Sequence, residues 1–224
     1  MISKLPRWVE YGSFVLALVA GFVNAVGLLG FNHQPISHLS GTATLIGTDI
    51  LNTTFNQTIH LVMVVASFLI GAIVSGYFLR SGALKLGRNY GMLLCFEAIL
   101  LFSASFLLTI DAISGLYLAS AACGLQNALV TTFSGAVVRT THVTGLFTDL
   151  GIMIGAKLRG QPFDKRKATL FILIIIGFIS GGTLGAYFYA LFMFNALIIP
   201  ATICFLLALA YSIFNLIASG KSSK

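Results

Sequence analysis

The chain has 224 residues, 58% of them hydrophobic and only 8% charged, with a mean hydropathy of +0.98. A soluble domain carries roughly 25% charged residues, so this chain lacks the polar surface that water demands; disorder, a coiled coil and a disulfide-stapled secreted fold are excluded by the same figures. The net charge of +7 does not indicate nucleic acid, because the cations fall in short clusters between apolar runs, which is how membrane orientation is encoded.

In chain order, Lys4 and Arg7 precede an apolar run at about 10–31. The pattern imitates a signal peptide, but Gly12 to Phe31 is long enough to span and many such runs follow, so it reads as a first membrane helix. A short segment at 38–53 comes next, rich in Thr, Gly, His and Asp. As a helix from Gly41 to Asn52 it would reach ~18 Å, short of a hydrocarbon core of ~30 Å. Runs at 60–80, 90–110 and 112–133 are each long enough to span. A second short polar segment lies at 141–157, and runs at 168–191 and 195–218 bring the spans to six.

Charge decides how the two short segments are read. If each enters and leaves on one side, the four basic clusters share the cytoplasmic side: Lys4/Arg7, Arg80/Lys85/Arg88, Lys157/Arg159/Lys165/Arg166/Lys167 and Lys221/Lys224. The linkers near Asp111 and Asn195, which carry no Lys or Arg, then fall outside. If both segments spanned, Arg80, Lys85 and Arg88 would face away from Lys4 and Arg7. The expected fold is therefore an all-α polytopic membrane protein with six transmembrane helices, two short re-entrant helices and cytoplasmic termini.

The chain also repeats itself. Gly21-Phe-Val-Asn24-Ala25 matches Gly124-Leu-Gln-Asn127-Ala128 at an offset of 103, and His38-Leu-Ser40-Gly41 matches His142-Val-Thr144-Gly145 at 104. Thr44 and Gly47 then match Thr148 and Gly151, and Phe68, Gly71, Tyr77 and Phe78 match Phe178, Gly181, Tyr187 and Phe188 at 110. Ordered blocks of this kind mark an internal repeat, with halves at 1–110 and 111–224. Three spans per half is an odd number, so the second half is expected upside down: a 3+3 inverted repeat, as in many secondary transporters. Ser67, Gly71 and Ser75, and their counterparts Gly177, Gly181 and Gly185, form small-residue ridges that suit close helix packing.

The polar residues of the repeat are the candidate site. Irregular backbone at membrane depth persists only where protein buries it or a wet cavity meets it. In each H-x-[ST]-G element, Ser40 or Thr144 is expected to cap a short helix, with Gly41 or Gly145 allowing a tight turn and Thr42 or Thr148 close by. Two helix N-termini near mid-membrane present unpaired N–H groups and positive dipole ends, which suits an anion or a carbonyl-type oxygen. Asn24, Gln126 and Asn127 either line the same cavity or bond neighbouring helices together. His38 and His142 share the motif and so are candidates for a functional or a gating role, whereas His33 and His60 lack it and read as interfacial. Glu97 lies inside an apolar helix, where an ionisable group is costly. With Asp149 it is a candidate for proton coupling, unless a partner such as Arg139 pairs with it or the helix turns it toward the headgroups. Asp111 and Asp164 read as loop residues, and Arg139 is placed at the cytoplasmic mouth of the second short element.

No nucleophile motif, metal-ligand spacing or phosphate loop occurs, so neither catalysis nor a cofactor or metal is expected. Cys95, Cys123 and Cys204 sit in apolar runs as small packing residues. Asn52-Thr-Thr54 and Asn56-Gln-Thr58 match a glycosylation pattern no better than chance would provide.

The strings GFVNAVGLLGFN…SHLSGTATLIG and GLQNALVTTFSGAVVRTTHVTGLFTDLG resemble the YoaK family of bacterial membrane proteins, also filed as domain of unknown function 1275. That family usually has Asp where Asn24 stands, and H-M-T-G-N where His38-Leu-Ser-Gly-Thr42 stands. The resemblance implies a bacterial inner-membrane protein of about six spans and supplies no substrate. The expected function is a small secondary transporter or channel for a small anion or neutral polar solute, held between the two half-helix N-termini. The alternative is a membrane scaffold or assembly protein, which would close its polar residues into hydrogen-bond networks with no cavity. The expected partners are the bilayer and the solute, with a homodimer left open.

Overall fold

The computed structural model describes residues 8–30, 36–52, 55–79, 89–134 and 139–221. Lys4, Arg7, His33, Thr53, Thr54, Arg80, Lys85, Arg88 and Lys224 lie outside the described residues. The described residues form eight α-helices: α1 (Trp8–Gly30), α2 (Leu39–Asn52), α3 (Phe55–Phe78), α4 (Asn89–Thr109), α5 (Ser114–Ser134), α6 (Val143–Leu158), α7 (Lys165–Phe192) and α8 (Ile198–Lys221). A 3-10 turn at Met193–Leu197 joins the last two, and no strand occurs among the described residues.

Four of the described helical stretches are long and apolar enough to cross a membrane: Trp8–Gly30, Gln57–Phe78, Asn89–Thr109 and Lys165–Ile217. The last, at ~1.5 Å per residue, would reach about 80 Å if straight, more than twice a hydrocarbon core. It breaks at the 3-10 turn, where Met193 takes a φ of 52°, and so supplies both α7 and α8. Large apolar side chains stand exposed along these helices, among them Leu69, Ile70 and Ile73 on α3 and Leu206 and Leu209 on α8. Apolar patches on that scale need lipid or protein against them, which makes this a helical membrane protein.

Helix ends are locally encoded. Gly160, at φ +82°, ends α6; its N–H bonds the Lys157 carbonyl while that of Gln161 reaches Ala156, the left-handed cap that glycine permits. Asp111 does the same after α4 at φ 56°, with Ala112 N–H on the Leu107 carbonyl. Asp164 caps α7, its Oδ1 accepting from the Lys167 N–H at 3.0 Å. Both acids lie in loops, as expected, and each also fixes a helix terminus.

Contacts set the helix directions. Gly177, Gly181 and Gly185 of α7 face Phe14, Leu18 and Phe22 of α1 in rising order, so these two helices run parallel. Their starts are tied by Arg166 Nε to Glu10 Oε1 at 2.8 Å. Helices α3 and α5 are likewise parallel: His60 meets Tyr117, Ser120 bonds the Val64 carbonyl, and Gly124 faces Phe68. By contrast α4 runs against α5, with Glu97 on Gln126 and Leu108 on Gly115. It also runs against α8, with Gly91 on Ala208 and Ser105 on the Phe194 carbonyl. Gly30, at the end of α1, meets Phe194 in the same 3-10 turn. Hence α1, α4 and α7 point one way, and α3, α5 and α8 the other.

The ridge glycines make the closest of these approaches. A Cβ on Gly21 would collide with the Phe178 carbonyl, and one on Gly124 with that of Phe68. Gly181 meets the Leu18 carbonyl as Gly71 meets that of Ala121. The repeat-matched residues thus make matched contacts with partners exchanged: each half's first helix packs on the other half's third. Backbone approach of this kind is what small residues provide in lipid. Replacing Gly181 or Gly71 by alanine should cost about 1–3 kcal/mol by overpacking. Gly47→Ala, whose Cβ meets nothing within 4 Å, should be neutral or gain up to ~1 kcal/mol of helix propensity. Thermal unfolding of the three variants in detergent checks this contrast.

Candidate functional site

Two short lead-ins deliver the polar motifs to the middle of the bundle. The first descends beside α1, where the Ser37 N–H and hydroxyl both donate to Asn24 Oδ1, at 3.2 and 2.9 Å. The Ile36 side chain fills the space left by Gly27. Ser120 holds the same turn from α5 through the Ile36 carbonyl at 3.3 Å. From there α2 leads back to the start of α3, three positions beyond its end. The second lead-in rises beside α5, where Thr140 Oγ1 donates to Gln126 Oε1 at 3.2 Å, and α6 then leads back to the start of α7. The two short helices therefore begin at mid-bundle and end at opposite ends of it.

The caps differ from expectation. Helix α2 begins at Leu39 and α6 at Val143, so the histidines precede the helices, with Thr42 N–H on the His38 carbonyl and Leu146 N–H on that of His142. His142 is the N-cap of α6 and makes no side-chain cap bond. Ser40 and Thr144 lie inside the first turn, where their carbonyls accept the hydroxyls of Thr44 and Thr148 at 2.9 and 3.0 Å. Gly41 and Gly145 are helical and make no tight turn. The smallness of Gly41 makes room for its histidine ring instead, since a Cβ there would stand 2.7 Å from His38 Cδ2, whereas one on Gly145 would make ordinary contact with His142 at 3.6 Å. With no side-chain cap on α6, several N–H groups of its first turn are left for water or a ligand.

Both helix starts open onto one cleft of about 630 Å³. His38 and Ser40 line it from the first half, and Asn127, His142, Thr144, Gly145, Thr148 and Asp149 from the second. Ser37, Phe68, Arg139 and Thr141 join them. Arg139 is thus a cleft residue and makes no contact with Glu97. The signal for Ser37 and Thr141 was present in the sequence: a hydroxyl residue stands directly before each motif histidine, at the same offset of 104. Among the described residues no three metal-ligating side chains gather, although both histidines and Asp149 share the cleft.

The other expected site residues lie outside the cleft lining. Asn24 is occupied by Ser37, and Thr42 is buried with its hydroxyl on the His38 carbonyl at 3.3 Å. Glu97 and Gln126 are each 1% exposed. Gln126 joins Glu97 to the lead-in of α6: its Nε2 donates to Glu97 Oε1 at 2.9 Å while its Oε1 accepts from Thr140. The Cys204 thiol adjoins the same carboxyl. His60 is not merely interfacial; its Nδ1 lies 2.7 Å from the Tyr117 hydroxyl.

Fold and site together define a helical membrane protein with a polar cleft where two short helices start. A family model described as "Protein of unknown function (DUF1275)" matches residues 12–210, and the chain belongs to that family, the one its motifs resemble. No curated protein and no solved structure matches the chain.

The buried Glu97–Gln126–Thr140 chain should behave as one unit. Gln126→Leu strands Glu97 Oε1 and the Thr140 hydroxyl, at about 1–3 kcal/mol for each buried polar group left unmet. Glu97→Leu combined with Gln126→Leu removes both halves of that bond, and should cost less than the sum of the single changes. Unfolding free energies of the double-mutant cycle test the coupling; strict additivity would contradict it.

Proposed function

We propose that the protein is a small secondary transporter or channel, with the cleft between the starts of α2 and α6 as its solute site. The architecture we infer is a 3+3 inverted repeat of six spans and two re-entrant helices, with halves at 1–110 and 111–224. Support comes from the two opposed sets of three helices. Helices α1 and α3 are antiparallel although α2 lies between them, and α7 opposes α5 across α6, so neither short helix needs to cross. The exchanged glycine contacts and the antiparallel α4–α8 pair fit a pseudo-twofold axis lying in the membrane plane.

The observation that carries the functional reading is the cleft of about 630 Å³ on which both repeated motifs converge. A scaffold would have closed these groups on one another. The uncapped N–H groups at the start of α6, the Arg139 guanidinium and the motif hydroxyls favour a solute with anionic or carbonyl oxygens. Asp149 within the cleft and Glu97 behind it are the groups through which protons would couple to movement. The setting we infer is a bacterial inner membrane with cytoplasmic termini.

Flux into proteoliposomes, measured over a panel of small anions and neutral polar solutes, tests this reading. A His142→Ala/Thr144→Val variant should lose about tenfold or more of the flux of the preferred solute, the effect of removing one or two ligand hydrogen bonds. Flux that is unchanged in this variant would contradict the assignment of the site.

A further inference from the structure

The two lead-ins are matched in sequence but not in how they are held. Ser37 corresponds to Thr141 and Asn24 to Asn127. In the first half Ser37 gives Asn24 Oδ1 two hydrogen bonds. In the second, Asn127 Oδ1 is buried without a hydrogen-bond partner, although Thr141 borders the same cleft. The second lead-in is held one residue earlier on both sides, by Thr140 on Gln126. The first half has Ile36 and Val23 at the corresponding positions and so has no second choice.

We propose that the lead-in to α6 has two latch positions, Thr140 on Gln126 with the cleft open and Thr141 on Asn127 with the cleft closed. A buried acceptor without a donor is costly, and the matching half shows which donor satisfies it. Moving to the second latch supplies that donor and draws the start of α6 against α5, reproducing the arrangement of Ser37 and Asn24. The lead-in to α2 stays fixed, so the gate is one-sided. Glu97 holds Gln126 from behind, which ties the open latch to the buried carboxyl. This inference rests on the cleft being the solute site, but the movement itself needs no solute.

The test therefore uses no solute. Thr144→Cys, in a Cys95→Ala background, reports opening of the cleft through its rate of reaction with a small thiol reagent in reconstituted membranes. Thr140→Val removes the open latch and should slow that reaction by up to about fivefold, the ratio change produced by losing one neutral hydrogen bond. Thr141→Val removes the closed latch and should leave the rate equal or faster, and Thr141→Ser should restore the parent value. A rate that Thr140→Val leaves unchanged or raises would mean a single fixed anchor and would overturn the proposal, as would slowing by Thr141→Val. Opposite responses in a protein that moves no solute would uphold the latch and reject the transport reading alone.

Discussion

Gly21, Gly71, Gly124 and Gly181 bring backbone against backbone between α1 and α7 and between α3 and α5. In lipid there is no water to drive helices together, so close van der Waals approach and interhelical hydrogen bonds must do it. Each of these glycine contacts joins a helix from the first part of the chain to one from the second. The shared frame fixes where α1 and α5 present their asparagines, and those asparagines and their neighbours fix how deep the lead-ins of α2 and α6 reach.

Helices that begin inside a membrane carry uncapped N–H groups, and each must be met by protein, water or ligand. At α6 no side chain caps them, because Thr144 is drawn into the first turn and His142 stands ahead of it. The polar demand is left on the cleft. On the far side of α5 the demand is reversed: Glu97 is buried among apolar helices and is held by Gln126. One helix, α5, thus faces a cleft through Asn127 and a buried carboxyl through Gln126. Two adjacent amides project about 100° apart on a helix, which is why neighbouring residues serve separate networks.

Much of this was legible from the residues. Helix positions followed from run length, the two short elements from their Thr, Gly and His content, and close helix packing from the small-residue ridges; the exchange of glycine contacts between the repeats was not legible. The helix starts were misplaced by one or two residues, because Ser and Thr before Gly resemble N-caps whether or not the chain turns there. Which amide lines the cleft was not legible either. Asn24 and Asn127 are equivalent by motif, and only the neighbouring Val23 or Gln126 decides which is occupied by its own lead-in. Sequence leaves the partner of Glu97 open between Arg139 and the headgroups, since it does not reveal that α5 brings Gln126 to it.

The central claim is that α2 and α6 return to the side from which they start. If both crossed instead, the α4–α5 turn and the α6–α7 turn would lie on the same side of the membrane; if both re-enter, they lie on opposite sides. Ile113→Cys and Gln161→Cys, each in a Cys95→Ala background, place one reporter in each turn. Labelling sealed vesicles of known orientation with a membrane-impermeant thiol reagent should modify Ile113→Cys from outside and Gln161→Cys only from the cytoplasmic face. Modification of both from the same face would contradict the account.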